Sequence, residues 1–229
     1  MTLAAPPRHF FPDLPAPAAA PRIVHCDDWL LVVEKPAGLL AVPGRGPDKA
    51  DCLSARLQAV HPEALIVHRL DEATSGLMLF ARHPEAQRRL SLAFERRAVG
   101  KRYVAVVDGR PAAPRGRIEL PLAADWPRRP LQRVDHEHGR PSRTDWLRMQ
   151  EGGVDAASCR LALKPHTGRS HQLRVHLAAV GHPILGDALY APPAVRARAP
   201  RLLLHASRLR LPHPAGDGRR LDCSSPVPF

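Results

Sequence analysis

Six apolar runs rich in valine, leucine and isoleucine recur between turn signals, at residues 29–34, 76–81, 103–107, 144–149, 159–163 and 202–211. Short apolar runs bounded by glycine, proline and polar clusters read as strands. Helical periodicity is rarer. It appears at 52–60 and at 84–97, where Leu90, Ala93 and Phe94 share a face and Arg88, Arg89, Arg96 and Arg97 lie largely outside it. A third helix is predicted over 171–180, with Ser170 as its cap, Leu173, Leu177 and Val180 as an i, i+4, i+7 stripe, and Gly181 as its stop. Regular β-α-β alternation is missing. The pattern therefore predicts an α+β fold with a large mixed or antiparallel sheet and flanking helices and loops, not a doubly wound one.

The 229 residues suit one large domain. Residues 1–21 are rich in alanine and proline and read as a flexible tail, leaving 22–229 as the domain. Three further stretches, 110–117, 126–133 and 192–201, are rich in proline, alanine or arginine and read as basic surface loops. With 34 basic and 22 acidic residues the net charge is +12, which points to a polyanionic partner such as nucleic acid. Charge alone does not separate an enzyme from a passive binder.

Several classes lack their signatures. No uncharged apolar run is long enough to span a membrane, and the first twenty residues lack the core of a signal peptide. Cys26, Cys52, Cys159 and Cys223 lie far apart with no C-x-x-C pair, which argues for reduced thiols in the cytoplasm and against a zinc ribbon. The densest histidine group is His166, His171, His176 and His182. His171 and His176 are five positions apart, which does not put two ligands on one helical face, so no metal site is expected. Neither a phosphate-cradling loop nor a G-x-S-x-G elbow occurs.

Two segments stand out, H-R-L-D-E-A-T-S-G-L-M-L-F-A at 68–81 and T-G-R-S-H-Q-L-R-V-H-L at 167–177. Taken singly, Asp71 reads as a turn residue and Arg174 as a surface arginine. Together they resemble the RluA family of pseudouridine synthases, with its H-R-L-D-x-x-T-S-G and G-R-[ST]-H-Q-[IL]-R-x-H motifs. The resemblance extends to E-K-P-A-G-L at 34–39, K-R-Y-V-A at 101–105 and G-H-P-I-L-G-D at 181–187, in family order, from about Val24 to Pro228. Glu34 stands where the family usually has asparagine. The segments 42–45, 125–132 and 200–206 are similar to a subgroup that modifies 23S rRNA (nucleotide 746) and certain tRNAs (nucleotide 32).

The resemblance implies the pseudouridine synthase fold around a central cleft, RNA as partner, a monomer without an S4 domain, and no cofactor. The reaction breaks the N1–C1′ bond of uridine and joins C5 to C1′. An ionised carboxylate starts it, either by attack on C1′ or by helping to deprotonate C2′. By resemblance that carboxylate is Asp71, Arg174 is its cationic partner near a helix N-terminus, and Tyr103 stacks on uracil and handles the C5 proton. Arg69 helps to fill the space left by a flipped-out base. Arg169, His171, Arg128 and Arg129 are the further expected substrate contacts. The competing reading is a catalytically silent RNA-binding protein of the same fold.

Overall fold

The computed structural model describes residues 20–44, 46, 49–150 and 153–229. All but the last two residues of the expected tail lie outside the described residues, as does Arg45 of the 42–45 loop.

The chain starts with a hairpin, β1 (Arg22–Cys26) and β2 (Leu30–Lys35). Helix α1 (Leu53–Gln58), β3 (Leu65–Ile66), β4 (Ser75–Ala81) and helix α2 (Pro84–Glu95) follow. Next come β5 (Gly100–Asp108), β6 (Arg115–Glu119), β7 (Leu122–Ala124), β8 (Gln132–Val134), β9 (Arg143–Arg148) and β10 (Ser158–Pro165). Helices α3 (Gln172–Ala179) and α4 (Pro193–Arg196) precede β11 (Leu204–Pro212) and β12 (Arg220–Ser224). Ten of these strands form one sheet with the path β1-β2-β4-β11-β5-β10-β9-β6, to which β12 adds on β11 and β3 on β4. The predicted α+β architecture with a mixed sheet is what forms. No helix among the described residues is long and apolar enough to cross a membrane.

β4 and β11 run parallel and approach closely at Gly76, whose φ is 113°. A Cβ there would lie 2.3 Å from the Ala206 carbonyl oxygen, so only glycine fits. All seven residues of β4 are buried, which makes the strand a continuous apolar run. Its two sides meet separate clusters. Leu77 and Leu79 pack with Leu90 of α2, and Met78 and Phe80 with Leu53 and Leu57 of α1.

Five local expectations are corrected. The stretch 110–117 is not wholly a loop, because β6 begins at Arg115; only Ile118 of that strand is buried, so no apolar run announces it. Within 126–133 there is a 3-10 turn at Trp126–Arg128, and β8 begins at Gln132. The stretch 192–201 holds α4. Ser170 does not cap α3: His171 takes that position in the left-handed region (φ 53°), and the Gln172 side chain accepts the Arg169 N–H instead. Nor does α3 bury one stripe. Gln172 through Leu177 are all buried, and Val180 is exposed.

Candidate active site

The H-R-L-D segment enters β4 through a turn closed by the Thr74 N–H on the Asp71 carbonyl, at 3.0 Å. Leu70 is buried among Leu31, Val33 and Phe80, and the next side chain, Asp71, is 28% exposed. From the first turn of α3, Arg174 brings a guanidinium within 3.8 Å of the Asp71 carboxylate. Arg174 is itself 3% exposed, and it donates from Nε and Nη2 to the two carboxylate oxygens of Asp187 at 2.9 and 2.6 Å. Burial opposes its charge, but those bonds and the carboxylate charges outweigh burial and raise its pKa. Tyr103 of β5 packs on the cluster that holds Leu70, and burial together with the Asp71 charge pushes its phenol well above 10. The structure thus brings Asp71, Tyr103 and Arg174 together from three separate parts of the chain.

The expected substrate contacts spread around this centre. His171 shares a 2.6 Å hydrogen bond with the Tyr190 hydroxyl through Nδ1. That hydroxyl also accepts the Gln132 N–H, and burial keeps His171 below its usual pKa. Tyr190 lies against Arg174, 5.1 Å from ring to guanidinium, and links α3 to β8. Arg169 is half-buried and donates to the Pro141 carbonyl. Arg69 is exposed and has no ion-pair partner among the described residues. On the turn after β7, Arg128 pairs with Asp125 at 2.6 Å, and Arg129 stacks 3.4 Å over the exposed Trp126. No group of three or more metal-ligating side chains occurs among the described residues.

Residues 29–179 match the RNA pseudouridylate synthase family. The dual-specificity RNA pseudouridine synthase RluA of Escherichia coli K12 is 48% identical over 207 residues, covering 90% of this chain and 93% of that protein. The chain belongs to the RluA-type RNA pseudouridine synthases. Human RNA pseudouridylate synthase domain containing 1 superposes with a TM-score of 0.77 at 30% identity, over 93% of this chain and 86% of that one. Human RNA pseudouridylate synthase domain containing 4, at 24% identity and a TM-score of 0.73, shares the fold.

The synthase has supporting residues that sequence reasoning left without a role. Asp187, in the G-H-P-I-L-G-D segment, is the tight partner of Arg174. Lys35 is fully buried and donates to the carbonyls of Pro36, Leu39 and Glu72 at 2.7–2.8 Å, which ties the residue after Asp71 to β2. Burial lowers its pKa to about 7 against the opposing charges of Asp71 and Glu72. A polar chain also runs from the start of β4 to the C-terminal segment. Ser75 bonds His205 at 2.9 Å, His205 bonds Ser225 at 2.9 Å, and Ser225 donates to Glu34, which also holds Arg22. Glu34 therefore joins Arg22 and Ser225, and through His205 the strand that follows Asp71.

Proposed function

We propose that this synthase isomerises specific uridines of structured RNA, with Asp71 as the carboxylate that acts at the ribose of a flipped-out nucleotide. The observation that carries the proposal is the convergence of Asp71, Arg174 and Tyr103, in which Asp71 meets a cation without being locked to it. Either opening step, attack on C1′ or proton abstraction at C2′, needs a carboxylate that faces the sugar and is not tied up by its neighbours. Tyr103 supplies a ring to stack on uracil and a neutral phenol that passes its own proton to solvent as it takes the one from C5. Atoms balance within the nucleotide: N1–C1′ breaks, C5–C1′ forms, and one proton leaves C5 while another reaches N1. No electrons are exchanged, so the reaction calls for no cofactor.

The substrates proposed are the tRNA anticodon loop (nucleotide 32) and 23S rRNA (nucleotide 746), in keeping with the dual-specificity name of the Escherichia coli relative. Arg69, Arg128, Arg129, Arg169 and His171 contact the RNA, and the enzyme acts as a cytoplasmic monomer. Extruding a base costs a few kcal/mol and least where the strand is unpaired. An isolated anticodon stem-loop and a duplex with the same uridine paired test this by chemical mapping of pseudouridine. The loop uridine is converted and the paired one is not; equal conversion of both, or of neither, overturns the substrate assignment.

A further inference from the structure

Several exposed arginines of the synthase are matched by carboxylates, for example Arg88 by Glu85, Arg117 by Asp145, Arg210 by Asp222 and Arg219 by Asp217. Four cations around the loop that carries Gly168 are not. Arg97 follows helix α2, Lys101 opens β5, Arg140 lies between β8 and β9, and Arg169 lies between β10 and α3. None of the four has a carboxylate at ion-pair distance among the described residues.

Contacts place Lys101, Arg140 and Arg169 around one loop, and Arg97 is near enough to act on Arg169 through its charge. The Lys101 ammonium donates to the Thr167 carbonyl at 3.5 Å and lies 3.7 Å from where a Cβ on Gly168 would sit. Arg169 turns its guanidinium to the carbonyl of Pro141, the neighbour of Arg140, at 3.3–3.4 Å. Burial, then the charges of Arg140 and Arg97, depress the Arg169 pKa, so these guanidinia are close enough to repel one another. Arg97 has φ 57°, a left-handed backbone that strains any residue with a side chain. Repulsion among these cations is relieved by an anion held between them. The position is equally specific: Lys101 precedes Tyr103 by two residues, and Arg169 precedes Arg174 by five.

We propose that Arg97, Lys101, Arg140 and Arg169 form a phosphate subsite that holds the RNA backbone beside the target uridine. The proposal rests on the RNA-modifying function argued above. Guanidinium forks match phosphodiester oxygens in geometry, and four cations from four segments suit a strand that passes over the 167–170 loop on its way into the cleft.

The test is filter binding of an anticodon stem-loop at a series of salt concentrations, with steady-state kinetics alongside. Each phosphate contact contributes about 0.7–0.9 to the slope of log affinity against log salt. Arg97→Gln and Arg140→Gln are each expected to reduce the slope by about that much and to raise KM several-fold, with the loss falling on KM rather than kcat. Neither lowers Tm, since each removes a like charge. Arg97→Lys keeps the wild-type slope, and so does Arg219→Gln, whose charge Asp217 already matches. An unchanged slope in both glutamine variants, or a fall in kcat without a change of slope, overturns the subsite. Failure of the wild-type enzyme to make pseudouridine would instead overturn the proposed function, and the binding slopes are read independently of turnover.

Discussion

Arg174 gives two arms of its guanidinium to Asp187, at 2.9 and 2.6 Å, and stands 3.8 Å from Asp71. Asp187 fixes the arginine, while Asp71 receives its field with carboxylate oxygens left to face a substrate. The division of labour makes Asp187 a positioning residue and leads to the first prediction.

Asp187→Asn leaves a buried guanidinium without its charge partner, which costs about 3–5 kcal/mol. It also frees Arg174 to swing onto Asp71, and a shift on the order of 1 Å at a reacting group lowers turnover about 100-fold. Urea unfolding and single-turnover kinetics check both effects. Wild-type kcat in a folded Asp187→Asn protein would remove Asp187 from the account.

Arg174→Lys keeps the positive charge and loses the planar fork that grips both oxygens of Asp187. Activity is expected to fall by one to two orders of magnitude, with RNA affinity within a few-fold of wild type. Full activity in this variant would show that charge alone suffices.

Tyr103→Phe preserves the stacking ring and removes the hydroxyl that burial and Asp71 keep protonated. RNA binding is expected to persist while tritium release from C5 falls about 100-fold or more. An unchanged rate would exclude the phenol from proton transfer.

Lys35 carries a pH dependence with a definite sign. Its pKa is 10.5 when exposed and about 7 in the folded protein, so between these values the unfolded chain binds more protons. The linked stability is present above the unfolded pKa and is lost as pH falls toward 7. From pH 10 to pH 7 the wild type therefore loses stability relative to Lys35→Met. Urea midpoints at pH 7, 8.5 and 10 test this, and parallel curves for the two proteins would contradict it. Because Lys35 anchors the Glu72 carbonyl, the variant is also less active at every pH.

What the sequence made legible follows from burial. Strands such as β4, buried along their whole length, announce themselves as apolar runs, whereas β6 contributes one buried side chain, Ile118, and stays hidden. The α3 cap was misread because Ser170 is a good capping residue by type, yet His171 adopts the left-handed backbone at that position and Gln172 folds back on the preceding loop. Asp71, Tyr103 and Arg174 were legible as members of motifs. Their support was not. Asp187 meets Arg174 through tertiary packing, and nothing local marks Lys35 as a lysine buried under three carbonyls, a rare environment for an ammonium. Arg97 and Arg140 lie far apart in sequence and share a site only through the fold.

The central claim is that Asp71 performs the chemistry while binding resides elsewhere, and Asp71→Asn tests it with the smallest change of shape. Tritium release from a C5-labelled anticodon stem-loop, measured beside filter binding of the same RNA, reads both halves at once. The account predicts no detectable release and an affinity within a few-fold of wild type, since phosphate contacts dominate binding. Release at a rate comparable to wild type would contradict it.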